Sequence, residues 1–183
     1  MHYNIKKYYF LSKFDTKTIN NQDKQTAIIY RNYKEKKNNQ NIILKFKNYC
    51  KKKGIKFFLS NNFKLAIKLN LDGAYIPAFN KDFRSNSFKF KKKFHLIGSA
   101  HNLKEIRIKE KQNINEIFIA SLFKIKKTYL GINKFKNLSN QTNLPVIALG
   151  GINYKNIKSL NLIKLKGFSG IKYFKNNCKK KGP

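Results

Sequence analysis

Short apolar runs recur along the chain at regular intervals, and longer polar stretches separate them. Eight runs are rich in aromatic and β-branched residues and predict strands at Tyr8–Leu11, Ala27–Tyr30, Ile55–Leu59, Gly73–Ile76, Phe94–Ile97, Glu116–Ala120, Pro145–Leu149 and Phe168–Ile171. The runs do not alternate strictly between apolar and polar positions. That pattern is typical of parallel strands that are buried on both faces.

The stretches between the runs predict helices. Three of them, Asn62–Leu69, Leu103–Lys111 and Lys134–Thr142, place apolar residues at helical spacing and lysines on the opposite face. Gly73 and Gly167 each come between a helical stretch and the next run. We interpret both glycines as turns that lead from a helix into a strand.

The alternation of strands and helices predicts an α/β fold, a single-domain (β/α)8 TIM barrel over residues 1–183. The chain is short against the roughly 250 residues typical of such barrels. Residues 15–25 are polar, and the chain closes with a basic tail at about residues 175–183. We therefore expect a barrel that is trimmed at both ends.

The chain is strongly basic, with 41 lysines and arginines against 8 acidic residues and a net charge of +33. Such a charge first indicates nucleic-acid binding. However, Arg31, Arg84 and Arg107 are the only arginines, and the lysines are spread over the whole chain. Residues able to recognise bases by paired hydrogen bonds are therefore scarce, and we attribute the charge to AT-rich codon usage. We expect no specific nucleic-acid partner.

Cys50 and Cys178 are the only cysteines, and their spacing fits neither a disulfide framework nor a zinc site. No segment approaches the roughly 18 consecutive apolar residues of a membrane span. We therefore expect a cytoplasmic protein with no membrane partner.

The segment Pro145–Asn153 combines an apolar strand with paired glycines, Gly150 and Gly151. Glycines let backbone N–H groups approach a phosphate closely, and Asn153 is placed to cap a helix that runs through Ile163. A second glycine-containing segment follows about twenty residues later and supplies Gly170, Ile171 and Lys172. Barrels often build phosphate sites from the loops after strands seven and eight, so we predict a phosphate site from these residues.

Four motifs in this order give the chain a family resemblance: LDGAYI at 71–76, SAHN at 99–102, ALGGIN at 148–153 and GFSGI at 167–171. Over about residues 7–174 the chain resembles thiamine phosphate synthases and their thiazole tautomerase relatives. The resemblance implies an enzyme of thiamine biosynthesis that couples a pyrimidine diphosphate to a thiazole phosphate with loss of pyrophosphate. It also implies roles for Arg31 in holding the diphosphate and for Ser99 and His101 in catalysis.

Other positions depart from the family pattern. The resemblance implies a lysine where Tyr33 stands and magnesium-binding aspartates where Asn61 and Asn80 stand. Mg²⁺ is still a possible cofactor, but we assign no metal ligand because the two expected aspartates are absent. We expect Asn61 and Asn80 to line the substrate pocket instead, together with Phe123 and Lys126.

Three alternatives to the synthase stay open. The first is a metal-independent thiazole tautomerase that uses His101 as its acid and base. The second is a barrel that binds a phosphorylated ligand without catalysis, and the third is a basic nucleic-acid-binding protein. A homodimer is also left open.

Overall fold

In the computed structural model, which describes residues 5–33, 39–124 and 129–174, eight parallel strands close into a barrel in chain order. The strands are β1 (Lys6–Leu11), β2 (Thr26–Tyr30), β3 (Phe57–Ser60), β4 (Gly73–Ile76), β5 (His95–Ala100), β6 (Glu116–Ala120), β7 (Val146–Leu149) and β8 (Gly167–Ser169). Each strand pairs with the next, and β8 pairs with β1. The predicted (β/α)8 barrel is therefore confirmed.

Helices cover the outside of the barrel. The α-helices with both ends described are α1 (Thr16–Asn20), α2 (Gln40–Lys52), α3 (Phe63–Lys68), α4 (Leu103–Lys111) and α5 (Gly131–Ser139). Two connections are 3₁₀ helices instead, at Arg84–Ser87 and Ile157–Leu162. Within the described ranges, no helix has both the length and the apolar character needed to cross a membrane.

Alternate residues of each strand face the barrel interior or the helices, as the two-residue period of a strand requires. The interior holds an aromatic cluster in which the Phe118 ring centroid lies 5.3 Å from that of Tyr8, 5.5 Å from that of Phe10 and 5.8 Å from that of Tyr75. The outward residues form a larger core with the helices. A filled interior makes the barrel a rigid frame for side chains at the strand ends.

The predicted helices α3, α4 and α5 are present, and α5 begins three residues earlier than predicted. Helix α2 was not predicted, although it buries Ile43, Phe46 and Cys50 against the barrel. The basic tail at 175–183 lies outside the described residues.

Two local predictions were wrong. Gly73 and Gly167 are not turn residues but the first residues of β4 and β8, in agreement with the predicted strand Gly73–Ile76, and a Cβ atom at Gly73 would lie 2.0 Å from the carbonyl oxygen of His95. The left-handed backbone that ends α3 falls on Asn70, with φ of 49°. Asn153 does not cap an α-helix: its side chain accepts from the Lys155 N–H at 2.8 Å, which forms a turn before the 3₁₀ helix.

Candidate active site

Polar side chains and glycines follow the strands at the C-terminal end of the barrel. Because all eight strands are parallel, their last residues meet at this one end. The predicted site residues that lie here are Arg31, Asn61, Asn80, Ser99, His101, Phe123, Gly150, Gly151, Gly170, Ile171 and Lys172. Lys126 lies outside the described residues.

Arg31 follows β2 and continues the inward-facing positions of that strand. Its guanidinium carbon lies 4.6 Å from the ring centroid of Phe10 and 6.0 Å from that of Tyr33, which is a cation–π arrangement. Tyr33 is itself fixed, since its hydroxyl hydrogen-bonds to Ser60 Oγ at 3.0 Å. Among the described residues no carboxylate pairs with Arg31. The aromatic rings thus hold the guanidinium without neutralising its charge.

Ser99 is buried in β5 and accepts a hydrogen bond of 2.8 Å from the hydroxyl of Tyr75. Burial raises the pKa of Tyr75 to about 12, although Ser99 and Arg31 act in the opposite direction. The phenol therefore stays protonated at neutral pH and orients the Ser99 hydroxyl. Sequence reasoning missed Tyr75, even though its inward position in β4 follows from the strand period.

His101 follows β5 and is exposed over 57% of its side chain. Glu105 Oε2 lies 2.9 Å from His101 Nδ1 and also accepts from the His101 backbone N–H at 2.6 Å. The next residue, Asn102, caps α4, so the His101 side chain is not used to start that helix. A carboxylate at Nδ1 favours the tautomer with its proton on Nδ1, which leaves Nε2 free to accept a proton. Glu105 was missed, although its spacing of four residues from His101 was a usable signal.

The glycines after β7 are required by close packing. Gly150 and Gly151 have φ of 102° and 71°, a region that glycine favours. A Cβ atom would lie 2.2 Å from Ser121 Oγ at Gly150 and 2.7 Å from the Phe123 carbonyl oxygen at Gly151. No hydrogen bond within the described part of the chain uses the N–H groups of these two glycines. The turn therefore presents two backbone donors at the end of the barrel.

The turn after β8 packs against the turn after β7. A Cβ atom at Gly170 would lie 2.5 Å from the Ile152 carbonyl oxygen. The Gly151 carbonyl is held by the side-chain amides of Asn153 and Asn156, at 3.1 and 3.0 Å. We call Gly150, Gly151 and Gly170 the glycine turns.

Two predicted residues beyond Gly170 begin a helical turn at residues 171–174. Ile171 is 49% exposed, and Lys172 is also exposed. Phe123 is partly buried, and its backbone N–H donates to the Gly150 carbonyl at 3.1 Å. The loop after β6 is therefore joined directly to the glycine turns.

Asn61 and Asn80 follow β3 and β4, where the family pattern places aspartates that bind magnesium. The Asn80 side-chain amide donates to Asn61 Oδ1 at 2.7 Å, and Asn80 Oδ1 accepts from the Asp82 N–H at 2.8 Å. Both amide oxygens are thus already used. Throughout residues 5–33, 39–124 and 129–174, no three His, Cys, Asp or Glu side chains gather as metal ligands would. These residues do not fit a magnesium ion held by the protein.

A closed parallel barrel with glycine turns after its last two strands is the architecture in which (β/α)8 barrels often bind phosphate groups. A family model described as thiamine monophosphate synthase matches residues 17–174. The chain therefore belongs to the thiamine monophosphate synthase family.

Curated relatives agree with this family. The chain is 32% identical over 120 residues to a thiamine-phosphate synthase from Methanococcus vannielii, a match that covers 63% of this chain and 56% of the relative. It is 31% identical over 146 residues to a thiamine-phosphate synthase from Pelagibacter ubique, covering 75% of this chain and 68% of that protein. The match with the Methanococcus protein thus spans little more than half of that protein's length.

A solved structure shares the fold. Thiamine phosphate pyrophosphorylase from Pyrococcus furiosus superimposes with a TM-score of 0.74 at 16% sequence identity, covering 97% of this chain and 96% of that chain. At this identity the likeness concerns the fold alone.

Proposed function

We propose that this protein is a thiamine phosphate synthase, which joins a pyrimidine diphosphate to a thiazole phosphate. The C–O bond between the pyrimidine methylene and the diphosphate breaks, and pyrophosphate leaves with the electron pair. The thiazole nitrogen donates its lone pair to the methylene carbon and forms the new C–N bond. The observation that carries this proposal is the pair of unused N–H donors at Gly150 and Gly151, at the same barrel end as Arg31, which has no carboxylate partner in the described chain.

The glycine turns bind the phosphate of the thiazole. The N–H groups of Gly150 and Gly151 donate to its oxygens, and Gly170, Ile171 and Lys172 complete the site from the turn after β8. Phe123, on the loop joined to Gly150, lies beside the thiazole ring. Packing between these turns fixes the donors before the ligand arrives, so that little ordering is needed on binding.

Arg31 binds the pyrimidine diphosphate at the same barrel end, where it follows β2. Its charge stabilises the negative charge that develops on the leaving pyrophosphate, and the rings of Phe10 and Tyr33 hold the guanidinium in place for that interaction. Ser99, oriented by Tyr75, donates to the substrates from the barrel interior. His101 Nε2 accepts or donates a proton at the rim, with Glu105 holding Nδ1.

The substrates are small phosphorylated molecules, and we place the reaction in the cytoplasm. The barrel needs neither a nucleic acid nor a membrane as a partner for this chemistry. A homodimer is compatible with the site, because the proposed groups all belong to one chain.

The test is to incubate the purified chain with the pyrimidine diphosphate and the thiazole phosphate, with Mg²⁺ or with EDTA, and to follow thiamine phosphate by mass spectrometry. A parallel reaction supplies the unaromatised thiazole carboxylate phosphate. We expect thiamine phosphate in the first reaction. His101→Ala should slow its formation, while substitution of His2, which belongs to no predicted site, should not.

Other outcomes would overturn the proposal. Aromatised thiazole without any thiamine phosphate, lost in His101→Ala, would establish the tautomerase instead. Binding of thiazole phosphate without either product would establish a ligand-binding barrel. Tight binding of duplex DNA at physiological salt would favour the nucleic-acid hypothesis.

A further inference from the structure

Lys109 is a fully buried lysine on a helix whose other lysines face solvent. Its exposed fraction is 0%, whereas Lys104 and Lys111 on the same helix α4 are exposed. Gly98 in β5 makes room for it: a Cβ atom there would lie 3.0 Å from Lys109 Cδ and 2.4 Å from Ile114 Cδ1. The barrel wall is thus shaped to accept the lysine side chain.

The buried ammonium is directed at the loop after β4. Lys109 Nζ donates to the Asn80 carbonyl oxygen at 2.6 Å and to Gln112 Oε1 at 2.8 Å. Gln112 Nε2 in turn donates to the carbonyl oxygens of Asn80 and Asp82, at 3.1 and 2.9 Å. Lys109 of α4 and Gln112, the C-terminal cap of that helix, therefore hold the loop after β4 at the backbone carbonyls of Asn80 and Asp82.

This arrangement is costly for the fold. No carboxylate lies within ion-pair distance of Lys109 among the described residues, and burial lowers its pKa to about 8, with Glu105 acting in the opposite direction. An apolar side chain would fill the same space without desolvating a charge. Because stability alone does not explain a buried lysine here, we look for its role in the position of the loop that contains Asn80.

The loop carries Asn80, and its backbone and side chain face different partners. The carbonyl is held by Lys109, while the side-chain amide donates to Asn61 at the end of β3. Two aspartates in these places would repel each other unless a cation lay between them. Two amides attract each other instead, and the exposed Asn61 keeps its Nδ2 hydrogens available. Amide hydrogens can donate directly to diphosphate oxygens, whereas an ionised carboxylate has no hydrogen to donate.

We infer that Lys109 and Gln112 are positioning residues that fix the Asn61–Asn80 pair as a direct, metal-free contact for the pyrimidine diphosphate. The inference rests on the proposed synthase function. In this protein a buried cation behind the loop organises the two strand ends. The diphosphate is then recognised by amide hydrogens and by Arg31, and no metal ligand from the protein is needed.

The first test compares Lys109→Met with Lys111→Met, which changes an exposed lysine on the same helix. We expect Lys109→Met to raise the KM for the pyrimidine diphosphate about tenfold and to leave the KM for the thiazole phosphate unchanged. Lys109→Gln, which keeps a donor, should recover part of the loss. A urea titration shows whether each variant is folded. Equal changes in both KM values, or no change in either, would overturn the inference.

A second test does not need turnover, so it separates this inference from the proposed function. Calorimetry with inorganic pyrophosphate in EDTA should show binding to the full chain, about tenfold weaker binding to Lys109→Met, and unchanged binding to Lys111→Met. Asn61→Asp should bind pyrophosphate only when Mg²⁺ is added. The inference would be overturned if the unaltered chain bound pyrophosphate only with Mg²⁺, or if Lys109→Met bound it as tightly as the unaltered chain. Either result would count even if thiamine phosphate is formed.

Discussion

The two ends of the barrel differ in whether their charged side chains have partners of opposite charge. At the N-terminal end, a cavity of about 510 Å³ contains the buried Glu116, which accepts from Lys6 at 2.8 Å and from the Tyr8 hydroxyl. The other lysines around that cavity are mostly exposed to water. At the C-terminal end, Arg31 has no carboxylate partner in the described chain, and Gly150 and Gly151 keep unused N–H groups. The N-terminal end thus pairs its buried carboxylate with a lysine, whereas the C-terminal end leaves Arg31 without a carboxylate and keeps backbone donors for a ligand.

This difference separates stability from activity. Substitutions at the C-terminal end should weaken substrate binding with small effects on folding. Substitutions at the N-terminal end should weaken folding with small effects on binding. Each of the following variants tests one side of that division.

The largest effect on activity is expected from Gly150→Ala. An added Cβ would lie 2.2 Å from Ser121 Oγ and 2.9 Å from Ser121 Cα, and the backbone φ of 102° is strained for alanine. The turn must move, and we expect kcat/KM for the thiazole phosphate to fall about 100-fold. Gly131→Ala is the matched control, because its φ of 68° carries a similar backbone strain with no atom within 4 Å. Equal losses in both variants would show that backbone strain alone matters.

A smaller loss is expected from Arg31→Gln. The variant keeps a hydrogen-bond donor but loses the charge and the stacking on Phe10, which lies 4.6 Å away. Charge-assisted hydrogen bonds contribute about 2 kcal/mol, so kcat/KM for the pyrimidine diphosphate should fall about 30-fold. Arg107→Gln on the outside of α4 is the control. If steady-state kinetics show the two variants to be equal, Arg31 does not contact the diphosphate.

The division between the ends could be predicted from the sequence only in part. The strand runs and the glycine turns follow from local patterns, because strand periodicity and glycine spacing are properties of neighbouring residues. The eight-stranded barrel was predicted in this way, whereas Arg31 was singled out by the family resemblance. The closing of the barrel by pairing of β8 with β1 confirms that topology.

The interactions that distinguish the two ends join residues distant in sequence. Glu116 meets Lys6 across 110 positions, and Lys109 meets Asn80 across 29. Lys109 occurs in a lysine-rich helix, where its burial depends on the space left by Gly98. Its spacing of three residues from the buried Ile106 places Lys109 on the inner face of α4, but no local pattern shows which atoms its ammonium reaches. The same holds for Asn61 and Asn80, whose hydrogen bond follows only from the position of two loops.

The smallest effect on activity, and the largest on folding, is expected from Glu116→Gln. Hydrogen bonds to charged groups contribute about 2 kcal/mol, and the free energy of unfolding measured with urea should fall by about that amount at neutral pH. Glu110→Gln is the control: that carboxylate pairs with Arg107 at 2.8 Å and accepts from the Thr142 hydroxyl at 2.7 Å, a hydrogen bond that glutamine can keep, so loss of the charge should cost about 0.5 kcal/mol. Both variants should keep full kcat/KM.

The pH dependence of the unfolding free energy tests whether the charge of Glu116 causes the loss of stability in Glu116→Gln. Burial by itself raises the pKa of Glu116, but the hydrogen bonds from Lys6 and Tyr8 and the charge of Lys6 outweigh it and leave the pKa below its ordinary value. A carboxyl with a lowered pKa stabilises the fold above its unfolded pKa, and this stabilisation disappears as the pH falls through the folded pKa. The stability difference between the unaltered chain and Glu116→Gln should therefore be largest above about pH 5 and shrink below about pH 4. A difference that is constant with pH would assign the effect to packing, and a large loss of kcat/KM would contradict the separation of the two ends.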